Sequence, residues 1–277
     1  MKFLSKFYIG LIFLILYAPI LVVILFSFNE SGSLSHFSGF TTNWYAELFR
    51  DREALNALKN SLLLATLSSL LATLIGTFAA FSISRARSKY YRRVMESVSD
   101  IPMMNPDIVT GVSMMLLFVG VGTMLSLSDL LGFWTMLIAH TTFNLPYVIL
   151  SVLPKFRQMD KNLTEAALDL GCTPAQTFLR VELPCILPGI VSGLMMSFTL
   201  SLDDFVISHF VSSPDFKTLP LYIYNQTAHE VKFSMYALCT LLIVVILALL
   251  IAVNLAGAAG ENRAARKPKR AMGGNKR

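Results

Sequence analysis

Residues 165–184 read EAALDLGCTPAQTFLRVELP. This stretch is polar and rich in helix-forming residues, yet it lies between two long apolar runs, 132–153 and 186–211. Apolar runs of this length are typical of membrane-spanning helices, so the stretch is predicted to be a loop outside the membrane. Pro184 and Pro188 are expected to separate this loop from the span that follows.

Signals for helix starts and stops divide the loop into two short helices. Asn162, with Glu165 three residues later, resembles a capping box at the start of a first helix, and Gly171 provides a stop. Thr173 begins a second helix, because a proline follows at the first helical position and a glutamine stands three residues after the cap. Such a helix–glycine–helix unit predicts a rigid protrusion that fits a cleft in a partner protein.

The composition is that of a membrane protein. Apolar residues make up 55% of the 277 residues and charged residues 14%, with a mean hydropathy of +0.61. Six apolar runs approach or exceed the length of about 20 helical residues that crosses a bilayer. They are 6–28, 59–84, 98–122, 132–153, 186–211 and 236–257. We therefore expect an all-α, polytopic membrane domain over 1–257, followed by a basic, disordered tail over 258–277.

Basic residues are distributed unevenly between the two sides of this domain. All but five of the 23 lie in the N-terminal segment, in the loops 85–97 and 154–185, and in the tail. The five exceptions are Arg50, Arg52, Lys59, Lys217 and Lys232. Because loops rich in Lys and Arg stay in the cytoplasm, both termini and the 154–185 loop are predicted to be cytoplasmic. Topology thus explains the basic tail, and no nucleic-acid partner is predicted.

The sequence lacks the motifs of common enzymes and cofactor sites. It has no glycine-rich phosphate-binding loop, so any ATP hydrolysis needs a separate protein. Metalloprotease and serine-hydrolase motifs are absent as well, and the chain is predicted neither to be an enzyme nor to bind a cofactor. Cys172, Cys185 and Cys239 are odd in number and lack paired spacing, so neither a disulfide nor a metal site is expected.

Acidic residues inside the predicted spans are the unusual feature of this membrane domain. They are Asp100, Asp107, Asp203 and Asp204. An acid near mid-membrane costs about 2.5–3.5 kcal/mol, which makes such residues functional candidates. Asp100 is expected to cap a helix start. Asp107 follows Pro106, and two nearby prolines predict a broken helix whose free carbonyls lie beside a cavity.

A stripe of small and polar residues runs along the fifth span. Its members, which recur every three or four residues and so share a helix face, are Gly193, Ser197, Ser201, Asp204 and Ser208. Asp204, with Ser197 and Ser201, is predicted to line a substrate path near its outer end, with Asp107 deeper. Asp203 lies about 100° around the helix from Asp204 and is a second candidate. Alternatively, the stripe is a helix-packing seam whose acid satisfies buried donors.

The charge of these acids indicates the class of substrate. No Lys or Arg lies inside the six spans to pair with them, end residues aside. Unpaired carboxylates favour a cationic substrate and repel an anion such as sulfate. Aromatic residues of the same spans are candidates for cation–π contacts with it, and these are Phe143, Tyr147, Phe198 and Phe205.

Residues 165–184 resemble the EAA motif of the permeases in binding-protein-dependent ABC importers. That motif reads E-A-A, three residues, Gly, nine residues and I-x-L-P, and Val181 stands here in the Ile place. From about residue 8 to 257 the chain also resembles the PotC-type permeases of spermidine/putrescine importers. The stretches that carry this second resemblance are Tyr17-Ala18-Pro19, Ser27-Phe28-Asn29, Trp44-Tyr45, Pro106-Asp107-Ile108-Val109, Gly132-Phe133-Trp134 and Phe198-Thr199-Leu200-Ser201-Leu202-Asp203-Asp204.

The resemblance implies a permease of the type I ABC importer architecture, with six transmembrane helices in the bacterial inner membrane. It implies a polyamine substrate and three kinds of partner, namely a second permease subunit, an ATPase dimer that holds ATP and Mg, and a periplasmic polyamine-binding protein. The residues it implies for coupling to the ATPase are Glu165, Ala166, Ala167, Asp169 and Gly171. One departure is the run 233–237, where such permeases have Pro-Glu-x-Asn-Ala, so an outer acidic contact is lost or moved to Glu230.

Three other functions agree with parts of the sequence. The same kind of permease for ferric iron or an opine-like amine would keep every coupling feature. A membrane enzyme would use His140 and the intramembrane acids, but the sequence holds no catalytic motif. An ion-driven transporter would leave the capped loop at 165–184 unexplained.

Overall fold

The computed structural model describes residues 2–32, 36–126, 130–227 and 232–265, and these ranges are mostly helical. The helices are α1 (Lys2–Phe26), α2 (Asn43–Leu48), α3 (Arg52–Arg85), α4 (Lys89–Met104), α5 (Asp107–Met124), α6 (Phe133–Gln158), α7 (Lys161–Asp169), α8 (Pro174–Thr177), α9 (Leu183–Asp203), α10 (Val206–Val211), α11 (Leu219–Thr227) and α12 (Phe233–Ala265). A π-helical turn, Phe178–Glu182, joins α8 to α9. Two isolated bridges, Asn29–Phe40 and Ser213–Phe216, are the extended pairings in these ranges, so the predicted all-α class is confirmed.

The apolar helices match the predicted spans in number. Five helical segments are long and apolar enough to cross a membrane, namely Lys6–Phe26, Arg52–Arg85, Asp107–Met124, Phe133–Gln158 and Pro174–Asp203. A sixth apolar segment, Phe233–Ala248, lies in α12. This helix continues to Ala265, so 258–265 is helical where disorder was predicted, because alanine, glutamate and arginine favour helices. The rest of the predicted tail, 266–277, lies outside the described residues.

The third predicted span, 98–122, is broken into α4 and α5, as the two prolines indicated. After Met104 the chain becomes extended at Asn105 (φ −77°, ψ 141°), because a residue before proline avoids the helical conformation. Pro106 then occupies the N-cap of α5, and Asp107 is the first residue of that helix. The break therefore gives Asp107 a position at a helix N-terminus.

The first of these two helices, α4, begins earlier than the sequence predicted. The Ser88 side chain accepts a hydrogen bond from the Tyr91 N–H and caps a helix that starts at Lys89. Most of the loop predicted at 85–97 is therefore helical. Asp100 lies inside α4, so its predicted role as the cap of a helix start is wrong.

A single helical path runs from Pro174 to Asp203, so the prediction that Pro184 and Pro188 separate the loop from the fifth span is wrong. The π turn explains how the helix continues. The Leu183 N–H donates to the Phe178 carbonyl, five residues back, which widens the helix just before Pro184. The wider turn gives the proline ring room beside the preceding carbonyls, where it would otherwise clash.

Residues 53–225 form one compact unit with two buried apolar clusters along α6. The first half of α6 packs in a cluster that consists of Leu64, Phe118, Met136, Leu137, Ala139, Phe143, Ile207 and Val211. The second half packs in another, with Ala72, Ala80, Ile83, Val148, Val152, Leu153, Phe156 and Ile186. Helix α9 lies directly on α6, because a Cβ at Gly189 would come within 2.9 Å of the Ser151 carbonyl oxygen. Both helices are thereby fixed against each other.

The described residues of 2–52 and 226–265 form a second compact unit. Trp44 of α2 packs on Phe233 at the start of α12, with ring centroids 5.5 Å apart, and its Nε1 donates to the Asn29 carbonyl at 2.7 Å. Tyr45 shares a hydrogen bond with Ser27 at 2.8 Å. The aromatic pair of α2 thus attaches the segment after α1 to α12.

Candidate coupling loop and substrate path

The loop between α6 and α9 begins with α7, whose cap is Asp160. The Asp160 Oδ1 accepts a hydrogen bond from the Asn162 N–H at 3.0 Å, and the helix starts at Lys161. The capping-box pattern predicts Asn162 in this role, two residues too late. An aspartate here satisfies a free N–H and also complements the helix dipole.

The stop predicted at Gly171 is confirmed, and its geometry explains why glycine stands there. Gly171 has φ +84°, in the left-handed region that a side chain disfavours. Its N–H donates to the Leu168 carbonyl at 2.9 Å, while the Cys172 N–H donates to the Ala167 carbonyl at 3.1 Å. These two bonds form a Schellman motif, which satisfies the last carbonyls of α7 and turns the chain.

The second predicted start, at Thr173, is confirmed as a complete capping box. The Gln176 N–H donates to the Thr173 Oγ1 at 3.3 Å, and the Thr173 N–H donates to the Gln176 Oε1 at 3.0 Å. Pro174 stands at the first helical position, where a missing N–H costs nothing. Two helix ends are thus satisfied within a few residues of chain, which keeps this exposed loop in one conformation.

One surface of α7 is open and carries both acids and leucines. Glu165, Ala166, Asp169 and Gly171 are exposed, whereas Ala167 is turned inward with 7% of its surface accessible. Three leucines are also accessible, namely Leu163 at 47%, Leu168 at 41% and Leu170 at 86%. Large apolar side chains grouped on a polar loop are typical of a surface that another protein covers.

A buried acid lies at the base of the loop, and no spacing rule predicts it from the sequence. Glu182, the last residue of the π turn, is fully buried and forms an ion pair with Arg85 at the end of α3. Its Oε1 also accepts a hydrogen bond from the Thr164 Oγ1 of α7 at 3.3 Å. Arg85 and Glu182 are 97 residues apart in the sequence, so only the fold brings them together.

The fifth predicted span, 186–211, is interrupted where α9 ends and α10 begins. Asp204 is extended between the two helices (φ −67°, ψ 120°), and its carboxylate caps α10 by accepting from the Ile207 N–H at 3.2 Å and the Ser208 N–H at 2.8 Å. Its Oδ2 is 3.5 Å from the His140 Nε2. Only 8% of the Asp204 side chain is accessible, so this acid serves the helix break itself.

The polar stripe of the fifth span faces the interior of the chain. The Ser201 hydroxyl is 2.9 Å from the Ser68 hydroxyl and 2.8 Å from the His140 Nδ1, and the Ser208 hydroxyl is 3.3 Å from the His140 Nε2. Ser197 is fully buried as well. Ser197, Ser201 and Asp204, which are predicted to line a substrate path, thus lie on a face that α3 and α6 cover within this chain. The alternative, a polar packing seam, describes the stripe.

The accessible acids are Asp107 and Asp203. Asp107 is exposed in the first turn of α5, where the helix dipole favours a negative charge. Asp203 is exposed at the last residue of α9, next to the buried Asp204. Neither carboxylate forms an ion pair within the part of the chain that the structure describes. Each stands at a break in a membrane-spanning segment.

Aromatic rings gather beside the break at Asp204. Phe205 lies 4.6 Å from Tyr224 and 5.4 Å from His209, measured between ring centroids, and His209 lies 6.0 Å from Tyr224. Phe205 is one of the rings predicted for cation–π contacts, and it belongs to this group. Phe143, another of them, is buried in the apolar core and packs on Tyr147. Ring faces attract cations, so an aromatic group near an exposed acid suits a cationic ligand.

The His, Cys, Asp and Glu side chains of the described ranges, 2–32, 36–126, 130–227 and 232–265, are not clustered. No group of three or more His, Cys, Asp or Glu side chains there could hold a metal ion. Cys172, Cys185 and Cys239 are free. Glu230, to which an outer acidic contact was assigned, lies outside the described residues.

Comparison with known proteins decides the family. A model of the family described as binding-protein-dependent transport system inner membrane component matches residues 72–257, which include both helix breaks and the whole loop. This chain belongs to that family. It is thus a multi-pass inner-membrane permease of a transport system that depends on a binding protein, and it is not itself an enzyme.

Relatives with known roles match most of this permease. The putrescine transport system permease protein PotI of Escherichia coli (strain K12) is 37% identical over 231 residues, which cover 83% of this chain and 82% of PotI. The spermidine/putrescine permease PotC of the same strain is 37% identical over 244 residues, which cover 88% of this chain and 90% of PotC. PotC of Haemophilus influenzae is 36% identical over 249 residues, which cover 90% of this chain and 94% of that protein.

Solved structures share the fold of this permease. A chain of the bacterial ABC transporter that imports the acidic polysaccharide alginate has a TM-score of 0.76 and 19% identity, and the match covers 93% of this chain and 95% of that one. A chain of the MetNI methionine ABC transporter has a TM-score of 0.61 and 18% identity, over 74% and 95%. The predicted ABC importer permease architecture is confirmed by these matches.

Proposed function

We propose that this chain is one of two permease subunits in an ATP-driven, binding-protein-dependent importer of polyamines such as spermidine and putrescine. The observation that carries the proposal is its identity of 36–37%, over 83–90% of its length, to PotI and PotC permeases. The polyamine as substrate rests on these relatives and on the accessible acids.

The chemistry of the accessible acids fits a polyamine. A polyamine carries protonated amines separated by short apolar segments, so it needs separated anionic contacts rather than one strong site. Asp107 and Asp203 offer carboxylates at two different helix breaks. The rings of Phe205 and Tyr224 beside the second break add faces that attract an ammonium group. These four residues are the ones we assign to the substrate path, in place of Ser197, Ser201 and Asp204.

The partner on the loop side is an ATPase dimer, and α7 is the helix that docks on it. Glu165, Asp169 and the exposed leucines of α7 supply a mixed acidic and apolar surface for that contact. The excess of basic residues in the loops 85–97 and 154–185 puts this side, with both termini, in the cytoplasm. A second permease subunit forms the other half of the path, and a periplasmic polyamine-binding protein delivers the substrate.

The transport cycle follows from the continuity of the helix that leaves the loop. Closure of the ATPase dimer on ATP displaces α7 as a rigid body, because both of its ends are satisfied by local caps. The helix over 174–203 runs from the loop to the break at Asp203, so a displacement that reaches its loop end opens the path to the substrate that the binding protein holds. Hydrolysis returns α7 to its starting position.

The experiment that tests this function is uptake of labelled spermidine and putrescine by proteoliposomes that contain the full complex. Uptake is expected only with ATP inside, on the ATPase side, and with the binding protein outside. Replacing ATP by a non-hydrolysable analogue is the matched control. Transport of ferric iron or an opine-like amine, without competition from spermidine, would contradict the polyamine assignment. Uptake driven by an ion gradient without ATP would contradict the ABC importer itself.

A further inference from the structure

Glu182 is a buried acid in a part of the molecule that must move. It is 0% exposed, and its Oε1 accepts from Arg85 and from the Thr164 hydroxyl. Its Oε2 is buried without a hydrogen-bond partner among the described residues. A buried carboxylate in this state depends on its cation, because removing that cation would leave an uncompensated charge away from water.

The three groups of this contact come from three different parts of the fold. Arg85 lies in the last turn of α3, Thr164 lies in α7, and Glu182 directly precedes α9. The carboxylate therefore ties the helix that meets the ATPase to the ends of two membrane-spanning helices. We call Arg85, Thr164 and Glu182 the coupling clamp.

Aromatic rings hold the arginine of the coupling clamp in place. The Arg85 guanidinium lies over the Phe81 ring, 5.1 Å from its centroid. Phe81 in turn meets Phe178 of the π turn edge-on at 5.0 Å, and Phe156 of α6 at 5.8 Å. Arginine suits this place better than lysine, since its planar group stacks on a ring while donating to a carboxylate.

We propose that Arg85 and Glu182 are positioning residues of the transport cycle. Through the coupling clamp, a displacement of α7 moves the ends of α3 and α9 with it, and so reaches the break at Asp203. Without the clamp, α7 still docks on the ATPase but moves independently of the spans. This inference rests on the proposed docking of α7 on an ATPase, and it does not depend on which substrate is carried.

The chain offers a matched control for this contact. Arg157 of α6 forms an ion pair with Glu96 of α4, with the same residue types and the same exposure of the arginine side chain, 51%. This pair joins two helices without α7 or the π turn. Its loss tests whether any ion pair at this end of the molecule is needed, or only the one at Glu182.

The deciding experiment is hydrogen exchange of the assembled complex, with and without ATP and vanadate. In the wild type we expect protection to change in both α7 and α9 on trapping. In Glu182→Gln the change should persist in α7 and disappear from α9, whereas in Glu96→Gln both should remain. If the protection of α9 still changes in Glu182→Gln, the positioning role is wrong. It is also wrong if the change in α9 is lost to the same extent in Glu96→Gln. No response of α7 in the wild type would instead overturn the docking of α7.

Uptake by the same complexes provides a second measurement. Glu182→Gln should lower ATP-driven uptake about tenfold, within the range of measured couplings, and Arg85→Lys should stay within about threefold of the wild type. If Glu182→Gln does not assemble, Thr164→Val is used instead, since it removes only one hydrogen bond. Its α9 response should then be reduced, and a full response would overturn the proposal. A wild type that takes up no polyamine refutes the substrate alone, because the exchange measurement is independent of it.

Discussion

Two connections each end one helix and begin another: the coupling loop, here the turn Leu170–Thr173 between α7 and α8, and the break between α9 and α10. They satisfy the free backbone groups of these helix ends differently. In the loop, Gly171 and the Thr173 capping box do so within a few residues of chain, in contact with water. At the break, the Asp204 carboxylate caps α10 and contacts His140, a residue of a distant helix. The turn at Gly171 is satisfied by bonds within its own stretch of chain, whereas the break at Asp204 depends on a distant helix.

The role of an acid in this membrane protein depends on what its carboxylate contacts. Asp204 satisfies the free N–H groups at the start of α10 and is part of the fold, so its loss is expected to act on stability. An accessible acid without an ion pair, such as Glu165 or Asp203, is free to meet a partner or a substrate, and its loss is expected to act on function. The two classes are separated by what each carboxylate contacts rather than by sequence position, since Asp203 and Asp204 are adjacent.

The largest effect is expected from Glu165→Ala in the loop. Removing this exposed carboxylate should lower uptake by about 5- to 150-fold, the usual span of a coupling free energy, by uncoupling ATP hydrolysis from transport. Assembly and thermal stability of the complex should not change, because the side chain supports no described contact. Uptake and ATPase stimulation are measured in proteoliposomes. Wild-type values of both would remove the loop from the coupling role.

Asp203→Asn tests the accessible acid at the break. It should reduce polyamine uptake about tenfold, which corresponds to roughly 1.4 kcal/mol, by removing the charge that meets the substrate. The thermal midpoint of the purified complex should stay at the wild-type value. A fall in thermal stability with unchanged uptake would reverse the roles assigned to Asp203 and Asp204.

Asp204→Ala tests the buried neighbour. Loss of a helix cap costs about 0.5–2 kcal/mol, so the thermal midpoint and the yield of assembled complex should both fall. Asp204→Asn is the matched control, because asparagine keeps an oxygen that accepts from the α10 N–H groups, and it should retain most of the stability. Full stability in Asp204→Ala, together with lost uptake, would return Asp204 to the substrate path.

The smallest effect is expected from Gly171→Ala. A side chain at φ +84° costs roughly 1–2 kcal/mol locally, which loosens the end of α7 without breaking the fold. Uptake should fall by less than threefold, and Gly171→Asn should be better tolerated because asparagine accepts left-handed geometry. Equal behaviour of the two variants in uptake and thermal midpoint would show that the turn is not conformationally strained.

Signals that act over a few residues were the ones that the sequence could reveal. Gly171 and Thr173 mark helix ends through their own geometry, and Pro106 forces its neighbour out of the helix, so these features were predicted correctly. The apolar runs gave the spans for the same reason, since their length alone meets the bilayer. Such features require no knowledge of which helix lies next to which.

Features that depend on neighbouring helices could not be derived in this way. The polar stripe with Ser201 would have the same sequence pattern if it lined a path or if it packed on His140. Only the position of α6 shows which of the two arrangements occurs. The ion pair of Arg85 with Glu182 has no spacing rule, because it joins distant parts of the chain. The π turn before Pro184 is equally hidden, since it is a response to a proline that periodicity alone would place at a helix end.

The continuous helix over 174–203 also has a mechanical consequence. Thirty residues at 1.5 Å each make a lever of about 45 Å, with the coupling loop at one end and Asp203 at the other. Gly189 and Gly193 lie near its middle and allow it to approach α6 closely, so a tilt of the helix would pivot at this point. A tilt of about 10° around that point moves each end by about 4 Å in opposite directions. Under the proposed docking of α7, a displacement at the loop end of this helix would therefore be accompanied by an equal and opposite displacement at Asp203.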